Sequence, residues 1–269
     1  SPFISSVQAD FKQKFKAGML TAGAKLTYRS NDIYHQFYEG GEYSDAFSND
    51  LLHTELIPAA YVLFSSKIGK KFTYKAGLRG EFSTVTLTSS HEGLDVRNND
   101  FFVSPSLSGT LRLAENQELS LAFSRRVGRP AYPQLNPYMS MVDATTYEQG
   151  NMHLRPEKSS KLDFSYNFRS SKVQIFADAY MNYTTDYISQ ITKISDGLLI
   201  TTYINGTSDL KTGADLSFKL VPAKWMSATL SANTFYVNTK GNFEGADIDN
   251  RGVSNNSNIL LDFLPGKST

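Results

Sequence analysis

There is no cysteine among the 269 residues, so disulfide stapling and thiol catalysis are both excluded. Long apolar runs are missing too: none approaches the ~18 residues that a membrane-crossing helix requires. Charge is balanced, with 27 Lys and Arg against 26 Asp and Glu and a formal net charge of +1. Nothing in that balance marks a general binder of nucleic acid or anionic lipid. The opening residues, "SPFISSVQADFKQKF", have neither the charged nor the apolar region of a signal peptide. They read as a chain whose export signal has been removed, or as an internal piece of something longer.

Apolar residues are present in a particular order. The chain is 40% hydrophobic and 13% aromatic, with 15 Tyr and 18 Phe. Leu107, Gly109, Leu111 and Leu113 alternate with Ser106, Ser108, Thr110 and Arg112. Phe72, Tyr74, Ala76, Leu78, Gly80 and Phe82 alternate with Thr73, Lys75, Gly77, Arg79 and Glu81. The same period of two returns around Leu162, Leu216 and Leu230. Such alternation predicts strands with one apolar and one polar face. The mean hydropathy of −0.33 suits a soluble sheet and a barrel with a polar lumen equally.

The connections choose between them. Strands are expected near 3–11, 15–31, 51–67, 71–89, 99–114, 117–128, 157–169, 171–185, 209–221, 224–239 and 256–264. Connections alternate between short ones, around 12–14, 68–70, 115–116, 170 and 222–223, and long ones, around 32–50, 90–98, 129–156, 186–208 and 240–255. A transmembrane β-barrel sorts its connections this way, with short periplasmic turns, long outer loops and about ten residues per crossing. Within 186–208, Asp196-Gly197 predicts a hairpin turn of its own. Tyr28, Phe72, Tyr74, Phe82, Phe168 and Tyr236 sit towards strand ends, where an aromatic girdle would lie. Lys75, Arg79, Arg112, Asp163, Asp178 and Asp215 fall on the polar face, costly against lipid and at home in a wet lumen. The fold expected is all-β, an antiparallel transmembrane barrel. A soluble sheet with one solvated face is the alternative.

The longest connection holds four prolines and two glycines between residues 128 and 157. Pro130 ends a strand because proline cannot donate to the ladder, and Asn136-Pro137 and Gly150-Asn151 supply turn chemistry. The segment is expected to be an outward loop, restrained by its prolines and tied at the base by Arg126 or Arg129 bonding to Glu157.

"SRRVGRPAYPQLNPY" followed by "YEQGNMHLRPEKSSKLDFSY" resembles the barrel of TonB-dependent outer-membrane receptors. Arg126, Arg129, Pro130, Tyr132, Leu135, Asn136 and Pro137 match the first half of the family pattern. Gly150, Asn151, Leu154, Pro156 and Glu157 match the second, with Met152 where proline is usual. "YVLFSSKIGKKFTYKAGLRGEFSTV" and "FFVSPSLSGTLRLAENQELSLAFSRR" resemble the same barrel, so the likeness spans about residues 10–265. It implies a barrel of 22 strands filled by an N-terminal plug domain, in the outer membrane of a Gram-negative bacterium. It also implies nutrient import driven by a TonB-type complex acting through a plug outside this chain.

On that reading residues 1–269 are a partial barrel of about 11 strands, whose unpaired edges near 3–11 and 256–264 require completion. A surface lipoprotein is a possible partner, outer-membrane lipid surrounds the wall, and no nucleic acid, cofactor or metal is expected. Arg126, Arg129, Tyr132, Asn136, Tyr138, Tyr147, Asn151 and Glu157 are candidate ligand or loop contacts. Neither paired carboxylates nor a nucleophile–base arrangement stands out, so no catalysis is expected. The histidines His35, His53, His91 and His153 lack ligand spacing and read as surface or loop residues. "DIDNRG" at 247–252 echoes a calcium loop but puts Arg251 at a ligand position. A non-transporting structural barrel is the runner-up, and a soluble all-β binding module the third reading.

Overall fold

The period-two segments become strands in the computed structural model, which describes residues 2–89 and 94–263. Six precede the long connection: β1 (Pro2–Phe15), β2 (Gly18–Glu39), β3 (Glu42–Ile68), β4 (Phe72–Ser89), β5 (Leu94–Ala114) and β6 (Gln117–Gly128). The connection contains the short helix α1 (Tyr132–Leu135) and the strands β7 (Met139–Met141) and β8 (Thr146–Gln149). Five more follow: β9 (Glu157–Arg169), β10 (Val173–Ser195), β11 (Leu198–Ala223), β12 (Met226–Phe243) and β13 (Ala246–Phe263). The eleven long strands form one antiparallel meander in chain order, with β6 beside β9 and with β1 and β13 at its edges. His91 lies outside the described residues.

Three of the connections expected to be long are instead continued strands. Segment 32–50 completes the β2–β3 hairpin, 186–208 the β10–β11 hairpin and 240–255 the β12–β13 hairpin. Asp196 and Gly197 turn the second of these with φ of 52° and 79°, the left-handed pair that matches strand twist. Residues 247–252 accordingly lie extended in β13, where Asp249 pairs with Arg251, and form no loop. The polar, small-residue composition of these tips reads as loop, yet cross-strand pairing satisfies their backbone groups.

Register shows where lipid ends. Phe72–Phe82 of β4 carries Phe72, Tyr74, Ala76, Leu78 and Phe82 on its outer face, opposite Leu111, Gly109, Leu107, Pro105 and Phe101 of β5. That stretch has about the length of one crossing. Beyond it the outer face turns polar, with Thr84, Thr86 and Thr88 opposite Asn99, Arg97 and Asp95. The inner face does the reverse. Lys75, Arg79 and Glu81 give way to Val85 and Leu87, and Ser104, Ser106 and Ser108 to Val96 and Leu94. Both faces exchange character at one level because lipid lies outside below it and water outside above it.

Above that level the inner face acquires a core. Leu51, Leu87, Leu135 and Leu154 are buried together, with Val85, Leu94, Val96, Tyr132, Met152 and Ile188 against them. Leu135 and Leu154 belong to the long connection. The segment folds in over the inner wall, because its two leucines find there the apolar surface that the strands expose. Each buried leucine contributes ~1.5–3 kcal/mol relative to exposure.

Candidate functional site

The inward segment is held by its own chemistry first. Pro133 lies in the first turn of α1, the Ala131 amide donates to Gln134 Oε1 at 2.7 Å, and the Asn136 amide closes the turn on the Tyr132 carbonyl at 3.2 Å. Gly150 then passes under that turn, its amide donating to the Asn136 carbonyl at 2.7 Å, while the Asn151 amide donates to the Gln134 carbonyl at 2.6 Å. A Cβ at Gly150 would stand 2.6 Å from the Pro133 and Asn136 carbonyl oxygens, so only glycine fits. The two halves of the motif are therefore two sides of one contact.

The strands hold it next. Asn151 Nδ2 donates to the Tyr203 carbonyl at 3.0 Å, and Asn205 accepts the Arg155 amide at 2.6 Å. Tyr203 donates to Glu148 at 2.7 Å, which pushes the Tyr203 pKa up to about 12. β8 also pairs in parallel with β11, placing Tyr147 opposite Ile200. Tyr138 Oη lies 2.5 Å from Ser89 Oγ, and Asn136 Oδ1 accepts the Tyr138 amide at 3.2 Å.

At the root of the segment lies a chain of alternating charges. Arg129 Nε stands 2.7 Å from Glu55 Oε1, and its Nη2 stands 2.7 Å from Glu81 Oε2. Arg29 closes on the other Glu55 oxygen at 3.2 Å, and Arg79 on the other Glu81 oxygen at 2.5 Å. Glu55 is only 3% exposed and Arg129 17%, so the central pairs are largely desolvated. The expected tie between Arg126 or Arg129 and Glu157 is not formed. Arg126 stays exposed on β6, and Glu157 Oε1 instead accepts the Ile188 amide at 2.8 Å. Arg129 turns inward because two carboxylates on the wall outbid one at the loop base.

Between this cluster and α1 lies a cavity of about 340 Å³, bordered by His53, Asn98, Asp100, Arg129, Tyr132 and Leu135 among others. His53, unlike the surface histidine expected, is half-buried with its ring 6.2 Å from that of Tyr132. Burial pushes its pKa down; Glu55 opposes that shift and Arg29 adds to it. Burial also raises the Tyr132 hydroxyl to about 12, with Asp32 and Tyr138 adding to the effect. That hydroxyl has no hydrogen-bond partner among the described residues. The cavity thus offers a ligand a neutral imidazole, a phenol and a carboxylate beside an ion-pair chain of three arginines and two glutamates, while Asn98 Nδ2 donates to the Met152 carbonyl at 3.3 Å.

Of the candidates named from sequence, Arg129 and Tyr132 border this cavity, while Asn136, Tyr138, Asn151 and Glu157 hold the segment in place. Below it, Lys75, Arg79, Arg112, Asp163, Asp178 and Asp215 share the inner face by register. Four of them are engaged there: Arg79 with Glu81 at 2.5 Å, Arg112 with Glu118 at 3.1 Å, Asp163 with Lys161 at 2.6 Å and Asp215 with Asn233. Sequence reasoning missed Glu55, His53 and Asn98. Their signal was an inner face that runs Leu51, His53, Glu55, Ile57, Ala59, polar groups set within an apolar run.

An antiparallel meander with an apolar outer band, a polar inner face and strands projecting past the band is the wall of an outer-membrane β-barrel. The chain belongs to the outer membrane protein beta-barrel family, whose family model matches residues 3–267. It is a protein of the outer membrane, and the reading as a soluble module falls. Among solved structures, the copper transporter OprC matches with a TM-score of 0.69 at 13% identity, over 90% of this chain and 41% of that one. The ferric-catecholate import receptor Fiu from K12 E. coli matches at 0.62 and 10% identity, over 89% and 42%. The ferric yersiniabactin uptake receptor FyuA from Yersinia pestis matches at 0.58 and 13%, over 97% and 46%. The chain therefore spans less than half the length of these structures, and the likeness establishes the fold. No curated protein matches the sequence.

Proposed function

We propose that this chain forms part of the wall of an outer-membrane receptor that imports a scarce nutrient without altering it chemically. Energy would come from a TonB-type complex acting through a plug domain supplied outside residues 1–269. The observation that carries this reading is the cavity between the inward segment and the wall, with a phenol hydroxyl that has no partner among the described residues and a polar inner face leading away below it. A closed structural wall has no need of such a recess at its outer mouth. The solved structures of similar fold, described as a transporter and import or uptake receptors, support the same reading. Arg129 sets the cavity floor, the Tyr132 hydroxyl offers a contact, and a surface lipoprotein could present the ligand.

Uptake by cells carrying the full-length protein tests this. Radiolabelled ferric chelates, cobalamin, oligosaccharides and peptides would be offered with and without a protonophore. Accumulation of one class, abolished by the protonophore and reduced by Tyr132→Phe at unchanged surface level, is expected. Failure of all four classes to accumulate would overturn the proposal in favour of a structural barrel.

A further inference from the structure

The net charge of +1 conceals a segregation along the barrel axis. The short turns beside β4, β5 and β9 carry Lys70, Lys71, Arg169 and Lys172 against one acidic residue, Glu115. All five are exposed, and none makes an ion pair among the described residues. Short turns face the periplasm in barrels of this kind. Trp225 stacked on Phe263, with ring centroids 6.3 Å apart, marks the membrane interface at the same end.

Directly above these turns the outer face is not smooth. The Phe72 ring lies over Gly109, where a Cβ would meet it at 3.1 Å, and with Leu111, Leu119, Leu121, Phe123 and Phe164 it walls a groove of about 520 Å³. Its lower edge joins the turns without a break: Phe72 follows Lys71, and the Arg112 amide next to Leu111 donates to the Lys71 carbonyl at 2.7 Å. Arg112 itself is neutralised by Glu118 at 3.1 Å. A groove that takes hydrocarbon thus ends at unpaired cations.

We propose that this surface binds an anionic phospholipid of the inner leaflet, with one acyl chain in the groove beside Phe72 and the phosphate at Lys70 and Lys71. The site rests on the orientation of the barrel, not on its transport reading. An anionic head group meets both the lysines and a net positive rim, whereas a zwitterionic one places its own ammonium against them. Lysine stems reach such head groups while their methylenes stay in the apolar layer.

The test uses the full-length protein in mild detergent, observed by native mass spectrometry with phosphatidylglycerol and phosphatidylethanolamine of identical chains. Phosphatidylglycerol should be retained preferentially. The exposed double variant Lys70→Gln, Lys71→Gln should cut that preference roughly five- to thirtyfold and leave phosphatidylethanolamine unchanged. Phe123→Ala, which removes an apolar wall of the groove, should lower retention of both lipids. Equal retention by the wild-type protein, or a preference that survives loss of both lysines, would overturn the proposal.

Discussion

Arg129 and Glu55 stand 2.7 Å apart although β4 and β5 separate their strands in the sheet. The guanidinium reaches across the inner wall, and its second arm takes Glu81 on the way. A planar fork with several donors can serve two carboxylates at once, which a lysine ammonium cannot do with the same geometry. The root of the inward segment is therefore fastened to the wall two and three strands away.

Loss of Arg129 leaves Glu55 buried with only Arg29 to oppose it. Arg129→Gln should loosen the segment by an amount near the lower end of the ~3–5 kcal/mol typical of a broken buried pair, since Arg29 and Arg79 remain. Hydrogen exchange across residues 131–156 would report it. Arg129→Lys should recover only part of the protection, and adding Glu55→Gln to Arg129→Gln should recover more. Protection equal to wild type in the single glutamine variant would show that the pair restrains nothing.

Gly150 is the tightest point of the segment. Alanine there meets backbone oxygens at 2.6 Å that cannot turn aside as a side chain could. Overpacking of this kind costs ~1–3 kcal/mol, and Leu135→Ala at the buried core position should cost ~2–5 kcal/mol. Both variants should expose 131–156 to limited proteolysis while the barrel keeps its heat-dependent electrophoretic mobility. Cleavage no faster than in the wild-type protein would contradict the packing described.

Acid should undock the segment through His53. Burial holds its pKa below the ordinary 6.5, so the docked state binds fewer protons than the released state in the window just below that value. Stability from this group is complete above about pH 6.5 and declines as pH falls through it towards the lowered value. Glu55, Arg29 and the Tyr132 ring are the groups that face it. Exchange protection of 131–156 should fall on acidification, and His53→Gln should flatten that dependence.

The faces of the sheet can be tested at neighbouring positions. Leu121 is 52% exposed on the outer face, and Ser120 lies on the inner one. Arginine at 121 should cost ~2–4 kcal/mol in folding into bilayers, and arginine at 120 far less. Equal costs would mean that the register is reversed.

The eleven meander strands were legible in the sequence because period two survives wherever one face meets lipid and the other water. β9 and β6 match the expected bounds of 157–169 and 117–128 residue for residue. The hairpin tips at 32–50 and 240–255 were read as loops, because outside the bilayer neither face is forced to be apolar and the alternation fades. The motif from Arg129 to Glu157 announced itself through its prolines and glycine. Its direction was not written there: a leucine at 135 or 154 records that a residue is buried, not against what. Only the tertiary structure decided that the segment turns inward. The apolar inner positions Leu51, Val85, Leu87 and Val96 come from three strands and form one surface only once the sheet is assembled. Arg129 likewise found Glu55 and Glu81, more than forty residues away in sequence, because sheet register set both carboxylates beneath it.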